Sequence, residues 1–413
     1  MKRPQATLLV LSALAAIVAA LLLWDRGRPS SDEVARDRER LLPQLDRATT
    51  TELTIARGNV TTALRHEAGG WYLTTPHRRA DDAAVEALLG ALEYGQIERR
   101  VAHVDAATRA QLGLTQPRVI VRAGGHVLRI GGEAPARAVY VQRDDETDAL
   151  VADHRLIETA DLDPSLWRSL RLTLTEPGDA AQVAFGAWTV ARHSGWRVMQ
   201  PVETRADDGK VDALVQSLVR IRAKRALADD SASPAATGVA LALQGVVEAR
   251  VGGACPNAPA ETLVARSDGA LLCFATTDLN LLRSPATSLY QHRLFPLRLD
   301  DLVAVDVGAL SLRRADGRWQ IVAPVAAAGP ASDEAVRAWL ETLLLAEARA
   351  FAAAVPVAGV RVRLATRDDD VSADVAATAA RRAGESVTLE LTTPLAPAID
   401  PAKLRAATPP SAP

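Results

Sequence analysis

The feature that most constrains this chain is a pattern that occurs three times. "GGWYLTTP" at 69–76 returns as "SGWRVMQP" at 194–201 and as "DGRWQIVAP" at 316–324. Trp71, Trp196 and Trp319 lie 125 and 123 residues apart, and Pro76, Pro201 and Pro324 keep the same two spacings. Solenoid repeats run to roughly 20–50 residues, so a period this long matches a small domain instead. Whatever the chain folds into must use one local solution three times.

Each period opens on a short alternating segment: "TELTIARG" (51–58), "AAQVAFG" (180–186) and "DLVAVDVG" (301–308). Alternation over this length predicts a half-buried strand. A second strand follows and ends in the Trp motif, entered through the turn sequences "EAGG", "RHSG" and "RADG". The Trp anchors one face of this hairpin. The Pro ends the ladder, because it has no N–H to donate.

A helix comes next. "ADDAAVEALLGAL" (80–92), "ADDGKVDALVQSL" (206–218) and "ASDEAVRAWLETL" (331–343) align residue for residue. Asp or Ser before an apolar run is N-cap chemistry, and the acidic residues suit the positive end of the helix dipole. The apolar positions are Val85, Leu88, Leu89 and Leu92, then Val211, Leu214, Val215 and Leu218, then Val336, Trp339, Leu340 and Leu343. Each set is one i, i+3, i+4, i+7 face.

Further strands are expected at Arg118–Arg122, Val127–Ile130, Val139–Arg143 and Leu150–Asp153, and "IGGEAP" (130–135) matches "VGGACP" (251–256). The third copy reads as shortened. After Phe351 it keeps two strand-like runs, "GVRVRLA" and "SVTLELT", around the Ala- and Arg-rich "ADVAATAARRAGE".

Ahead of the repeats, Ala6–Trp24 carries no charged residue, about the length needed to cross a ~30 Å hydrocarbon core. An uncleaved membrane anchor is the expectation, with a cleaved signal peptide the alternative. Lys and Arg counts on its two sides favour a cytoplasmic C-terminal part, whereas the short basic N-tail favours export, as does the ability of long domains to translocate regardless of charge. Export is the preferred orientation. Cys255 and Cys273 are the only cysteines. In an oxidising compartment they could close a disulfide loop; the alternative is that Cys273 is a small buried hydrophobe.

The order of these elements resembles the domain-of-unknown-function family 4340. The matching motifs are the "GW…P" hairpin, the acidic-capped "ADDxxVxxLLxxL" helix, the "GL" element at Leu112–Leu114 and the "IG…P…YV" hairpin at Ile130–Val141. The resemblance spans roughly residues 45–350. It implies a membrane-anchored bacterial protein of the envelope, of a kind often encoded beside ABC transporter components of the gliding type. It carries over no catalytic residue.

The chain holds no Walker A, H-E-x-x-H, G-x-S-x-G or S-x-x-K pattern. Its seven His are dispersed without metal-ligand spacing, and 48 basic against 50 acidic residues give no general attraction for nucleic acid. Asp81–Asp82 and Asp207–Asp208 could be acid–base pairs, but capping accounts for them. "RDDD" (367–370) reads as a solvated loop, "GGHVLRIGGE" as a hairpin and not a phosphate cradle. Arg99–Arg100 and Lys224–Arg225 read as a helix C-terminal charge preference or a partner stripe.

The resulting expectation is α+β: tandem repeats of a mainly antiparallel sheet with a packed amphipathic helix, behind one N-terminal transmembrane helix. The divisions are a cytoplasmic tail (1–5), an anchor (6–24), a polar stalk (25–48), repeat one (49–172), repeat two (173–298), a shortened repeat three (299–393) and a disordered tail (394–413). The functional expectation is an accessory or scaffold protein in the bacterial inner membrane, its soluble part periplasmic. Its partners would be transporter subunits or other envelope proteins, and it would use no cofactor, metal or catalytic residue. A binding protein for a glycan, lipid or peptide is the alternative, and an envelope hydrolase a third.

Overall fold

The computed structural model describes residues 40–176, 178, 180–228 and 238–406. The expected tail at 1–5 and anchor at 6–24 lie outside them, as do residues 25–39 of the stalk. Among the described residues no helix is long and apolar enough to cross a membrane. The chain divides into two compact units, one ending at Leu170 and one beginning at Arg171.

The first unit holds one sheet: β1 (Glu52–Arg57), β2 (Val60–Glu67), β3 (Gly70–Thr74), β4 (His77–Arg79), β5 (Ile97–Val101), β6 (Val119–Ala123), β7 (His126–Ala134), β8 (Ala138–Arg143) and β9 (Ala149–Asp153). The second unit holds two. Sheet two is β10 (Gln182–Phe185), β11 (Trp188–Arg192), β12 (Trp196–Gln200), β13 (Thr204–Arg205), β14 (Arg225–Ala226), β15 (Val239–Leu243), β16 (Val246–Cys255), β17 (Ala258–Arg266) and β18 (Leu271–Ala275). Sheet three is β19 (Ala304–Val307), β20 (Leu310–Ala315), β21 (Arg318–Ala323), β22 (Gly329–Pro330), β23 (Ala348–Ala353), β24 (Val360–Ala365), β25 (Asp370–Val375), β26 (Ala379–Arg382) and β27 (Val387–Leu391).

All three sheets run in one strand order: β4-β3-β2-β1-β6-β7-β8-β9-β5 and its two equivalents. Every neighbouring pair in sheet one is antiparallel. Four strands form one meander and four a second, joined through β1 and β6. The helix between them delivers β5 to the far edge.

One long helix accompanies each sheet, α1 (Asp82–Tyr94), α2 (Asp208–Arg220) and α3 (Asp333–Leu344), and the residues they bury are the twelve that the spacing predicts. In sheet one this face packs against Leu53, Ile55, Leu64, Trp71, Val121 and Leu128. Burial at roughly 1.5–3 kcal/mol per large side chain holds helix to sheet.

Four expectations change. The Trp lies on the third strand and not the second, because the segment before it folds back at Gly58 in a tight turn with positive φ. The stalk boundary moves: Leu41, Leu42 and Leu45 are core residues of sheet one. The third copy is not shortened, since sheet three has five strands after its helix, as the others do. Its hidden pair, β25 and β26, buries Val371, Ala373, Val375 and Ala380, and alanine gives little strand signal. The tail also packs. Leu395 and Leu404 are buried, and Pro401–Leu404 forms a 3-10 turn; residues 407–413 lie outside the described set.

The sheet edges explain the paired basic residues. Arg99 and Arg100 lie on edge strand β5 and Arg225 on β14, beyond the ends of α1 and α2, so they are not helix C-terminal charges. Charge and a bulge between Ile97 and Arg99 blunt an edge that could otherwise recruit a foreign strand.

On sheet three a ladder of charge crosses four strands. Arg313 meets Asp306 at 2.8 Å, Arg363 meets Asp306 at 3.4 Å, and Arg363 meets Asp370 of the "RDDD" run at 2.7 Å. Burial alone would raise Asp306, but the Arg313 guanidinium, the Ser311 hydroxyl and the Arg363 charge hold it below the ordinary carboxylate value. A depressed folded-state pKa gives stability that is present above the unfolded value of about 3.9 and is lost as pH falls through the folded one. Acid titration of the full chain should show a shallower stability loss below about pH 4 for Asp306→Asn. An unchanged slope would remove the ladder from the account.

Candidate functional site

The recurring residues converge on one joint between strand and helix. Trp71, Trp196 and Trp319 are 3%, 2% and 6% exposed. In each sheet the backbone N–H of the Trp donates to the Asp that opens the helix: Trp71 to Asp82 at 3.2 Å, Trp196 to Asp208 at 2.6 Å, Trp319 to Asp333 at 3.0 Å. The Trp carbonyl accepts from Ala80, Ala206 and Ala331, each at 2.9 Å. The first residue of each motif caps the helix, with Asp81, Asp207 and Ser332 accepting from Ala84, Lys210 and Ala335. Pro76, Pro201 and Pro324 each follow a cis peptide bond between these two halves.

The carboxylate pairs therefore split their work. One member caps the helix, as the sequence suggests. The other ties the helix to the Trp strand, which no propensity argument shows. Asp82 also pairs with the buried Arg79 at 2.6 Å. An acid–base carboxylate must face its substrate, and these face backbone N–H groups.

Two further contacts recur that the sequence reading missed. The N-cap N–H donates to the carbonyl of a 3-10 turn at the end of each sheet's segment: Asp81 to Trp167, Asp207 to Leu289 and Ser332 to Leu404, at 2.8–2.9 Å. The signal was present as "DPSLWR" at 163–168 and "DPAKLR" at 400–405. An Arg at the end of the eighth strand also holds the chain entering each sheet. Arg143 donates to the Leu41 carbonyl at 3.0 Å, Arg266 to Arg171 at 2.9 Å and Arg382 to Arg293 at 2.8 Å. Each is paired with an acid in the following turn, Glu146, Asp268 or Glu385. The entry points share the dipeptide Arg-Leu at 40–41, 171–172 and 293–294.

The "GL" element meets the "IGG" bulge in sheet one. Gly113 has φ +73, and a Cβ there would lie 2.8 Å from the Gly132 nitrogen, so only glycine fits. The Gly132 N–H donates to Leu112 at 2.9 Å. "GGHVLRIGGE" is a hairpin and its bulge, with no helix at its end.

Cys255 and Cys273 are bonded, with Cα atoms 5.9 Å apart. The bridge ties the tip of the β16–β17 hairpin to β18, which is next to β17. Among the described residues, the group of His, Cys, Asp or Glu close enough to hold a metal ion is Cys255, Glu261 and Cys273, and its sulfurs are spent on each other. Closing a loop over a sequence separation of 18 stabilises by about 3 kcal/mol in the chain-entropy model. Cys255→Ala/Cys273→Ala should lose about that amount in denaturant unfolding, and the wild type in reductant should match it.

The histidines are dispersed, and three of them show local polar contacts. His126 meets Asp144 at 3.1 Å, His77 meets Glu67 at 3.2 Å, and His292 meets the Ala348 carbonyl at 2.9 Å. A cleft of about 490 Å³ runs along α1, lined by Leu41, Ala87, Gly90, Ala91, Tyr94 and Leu156. Two polar clefts, of about 590 and 800 Å³, lie beside the entry segments of sheets one and three.

A family model described as "Domain of unknown function (DUF4340)" matches residues 71–195. The matched stretch is one whole period, from Trp71 to the residue before Trp196, and it agrees with the family to which the sequence motifs point. No curated protein and no solved structure matches the chain.

Proposed function

We propose that the chain is an accessory or scaffold protein of a bacterial envelope, held in the inner membrane by residues 6–24, with its tandem α+β units exported. Its partners are the subunits of an ABC-type transporter or another envelope complex, and it catalyses nothing itself. The observation that carries this reading is how the recurring residues are used. The Trp, the capping residue, the Asp that follows it and the clamping Arg hold strand, helix and entry segment together in each of the three sheets. What recurs is thus a unit that can be arrayed, and arrays offer extended surfaces to partners. The Cys255–Cys273 bridge supports export, since such bonds persist in oxidising compartments.

The test is purification of the tagged full chain from its native cells in mild detergent, with mass spectrometry of what accompanies it. A permease and its ATPase in stoichiometric amounts are the expected result. A chain that purifies alone after cross-linking would overturn the reading. The cleft along α1 would then favour a ligand with an apolar body, such as a lipid or an apolar peptide. A Cβ at Gly90 meets nothing within 4 Å, so Gly90→Leu should fill the cleft and abolish any ligand seen by native mass spectrometry.

A further inference from the structure

We propose that the outer edge of sheet three is an end-stop that prevents the array from continuing into a second copy of the chain. The inference rests on reading the three sheets as copies of one unit. Edge strand β13 of sheet two shows what such an edge can receive, because the turn between β26 and β27 docks on it. The buried Glu385 accepts from the Arg205 N–H at 3.1 Å and from the Thr204 hydroxyl at 2.8 Å. The Ser386 N–H donates to the Glu203 carbonyl at 2.8 Å. The Arg205 guanidinium reaches Asp369, and that of Arg197 reaches the Gly384 carbonyl at 3.3 Å.

Strand β22 holds the same place in sheet three. The ladder pairs Arg197 with Arg205 and Val198 with Thr204 in sheet two, and Gln320 with Pro330 and Ile321 with Gly329 in sheet three. Gly329 thus stands where Thr204 does, Pro330 where Arg205 does and Gln320 where Arg197 does. The hydroxyl, the edge N–H and both guanidiniums are gone. A carboxylate brought to this edge would find none of these donors and would keep only the Arg of its own turn, so burying it there is costly.

Sheet one carries the turn from which such a carboxylate would come. Glu146 follows Arg143 by three residues, as Glu385 follows Arg382, and Asp145 beside it is fully exposed. Docking that turn on the last edge of another copy would be a contact between two different patches of one molecule. Repeated, such contacts grow into rings or open filaments. Proline at a sheet edge is a known block against this outcome.

The chain has no free cysteine, so a bismaleimide joins only introduced thiols. Full-length Ala328→Cys, in the place of Glu203, is mixed in mild detergent with full-length Thr147→Cys, in the place of Ser386. A third preparation, Val355→Cys, which is exposed away from the edge, replaces Ala328→Cys as the collision control. The native edge should cross-link no faster than the control. Adding Gln320→Arg and Pro330→Arg to the Ala328→Cys chain should raise the yield about tenfold, the equivalent of ~1.4 kcal/mol. Cross-linking of the native edge above the control overturns the proposal, and that arm needs no restored variant. No rise in a restored variant whose circular dichroism is native also overturns it.

Discussion

Arg382→Ala is expected to destabilise the second unit by about 3–5 kcal/mol, because it leaves a buried carboxylate without its cation. Arg382 and Glu385 are 2% and 4% exposed, and the Arg382 Nε lies 2.8 Å from Glu385. Burial lowers the guanidinium's pKa while Glu385 opposes the change, and the group stays charged because arginine does not give up its proton in proteins. Its two terminal nitrogens reach the carbonyls of Arg293 and Gln291 at 2.8 and 3.1 Å, so one side chain closes the turn and fixes the entry to sheet three. Arg382→Lys keeps the charge but cannot span the carboxylate and both carbonyls, and most of the loss should persist. The same substitution at the other two clamps grades the effect by burial. Arg266 is fully buried and its acid nearly so, whereas the Arg143 and Glu146 side chains are 16% and 32% exposed. Arg266→Ala should match Arg382→Ala, and Arg143→Ala should cost about 1 kcal/mol. Denaturant unfolding of the full chain followed by far-UV circular dichroism decides it. Equal losses at Arg143 and Arg382 would show that burial does not set the cost.

What the sequence made legible follows from which signals are strong. The helix faces were readable because four large apolar residues at helical spacing produce a pattern that little else does, and all twelve positions are buried. The Trp motif was readable as a core anchor for the same reason. Strand division was weaker. "NVTTALRHEAGGWYLTTP" contains two strands, and the turn at Gly58 that begins the first of them gave no sign beyond a single glycine. Sheet three was hidden by composition, because Ala373 and Ala380 pack inward with too little side chain to mark a face. The contact network was the least legible part. Trp71 and Asp82 are eleven residues apart and joined through a backbone N–H, so the identity of the Trp side chain says nothing of the bond. The Arg clamps act across about 90–100 residues. A reading confined to neighbouring residues finds such a clamp only by aligning the three periods, where the Arg-Leu entry and the Arg three or fewer residues before an acid both recur.

That network sets the second large expectation. Trp196→Ala should cost about 3–5 kcal/mol, the range for truncating a large aromatic in a core. The ring is 2% exposed, its Nε1 donates to Asp212 at 2.8 Å, and the Arg192 guanidinium lies 4.6 Å from the ring centroid. Trp196→Phe keeps most of the packing and loses the indole donor, so it should cost about 1–2 kcal/mol. Asp208 tests the other half of the joint. Its carboxylate accepts from the Trp196 backbone and not from the indole. Asp208→Ala should therefore cost about 1–3 kcal/mol by leaving a part-buried N–H unsatisfied, and by nearly the same amount whether residue 196 is Trp or Ala. Additivity within about 0.5 kcal/mol in the double mutant is the expected result. A large coupling would mean that the carboxylate senses the ring, and the joint would then be a side-chain cluster specific to tryptophan. Additivity makes it a backbone tie over which the ring is packed, which is the arrangement that lets the same joint be built at Trp71 and Trp319 with different neighbours around the ring.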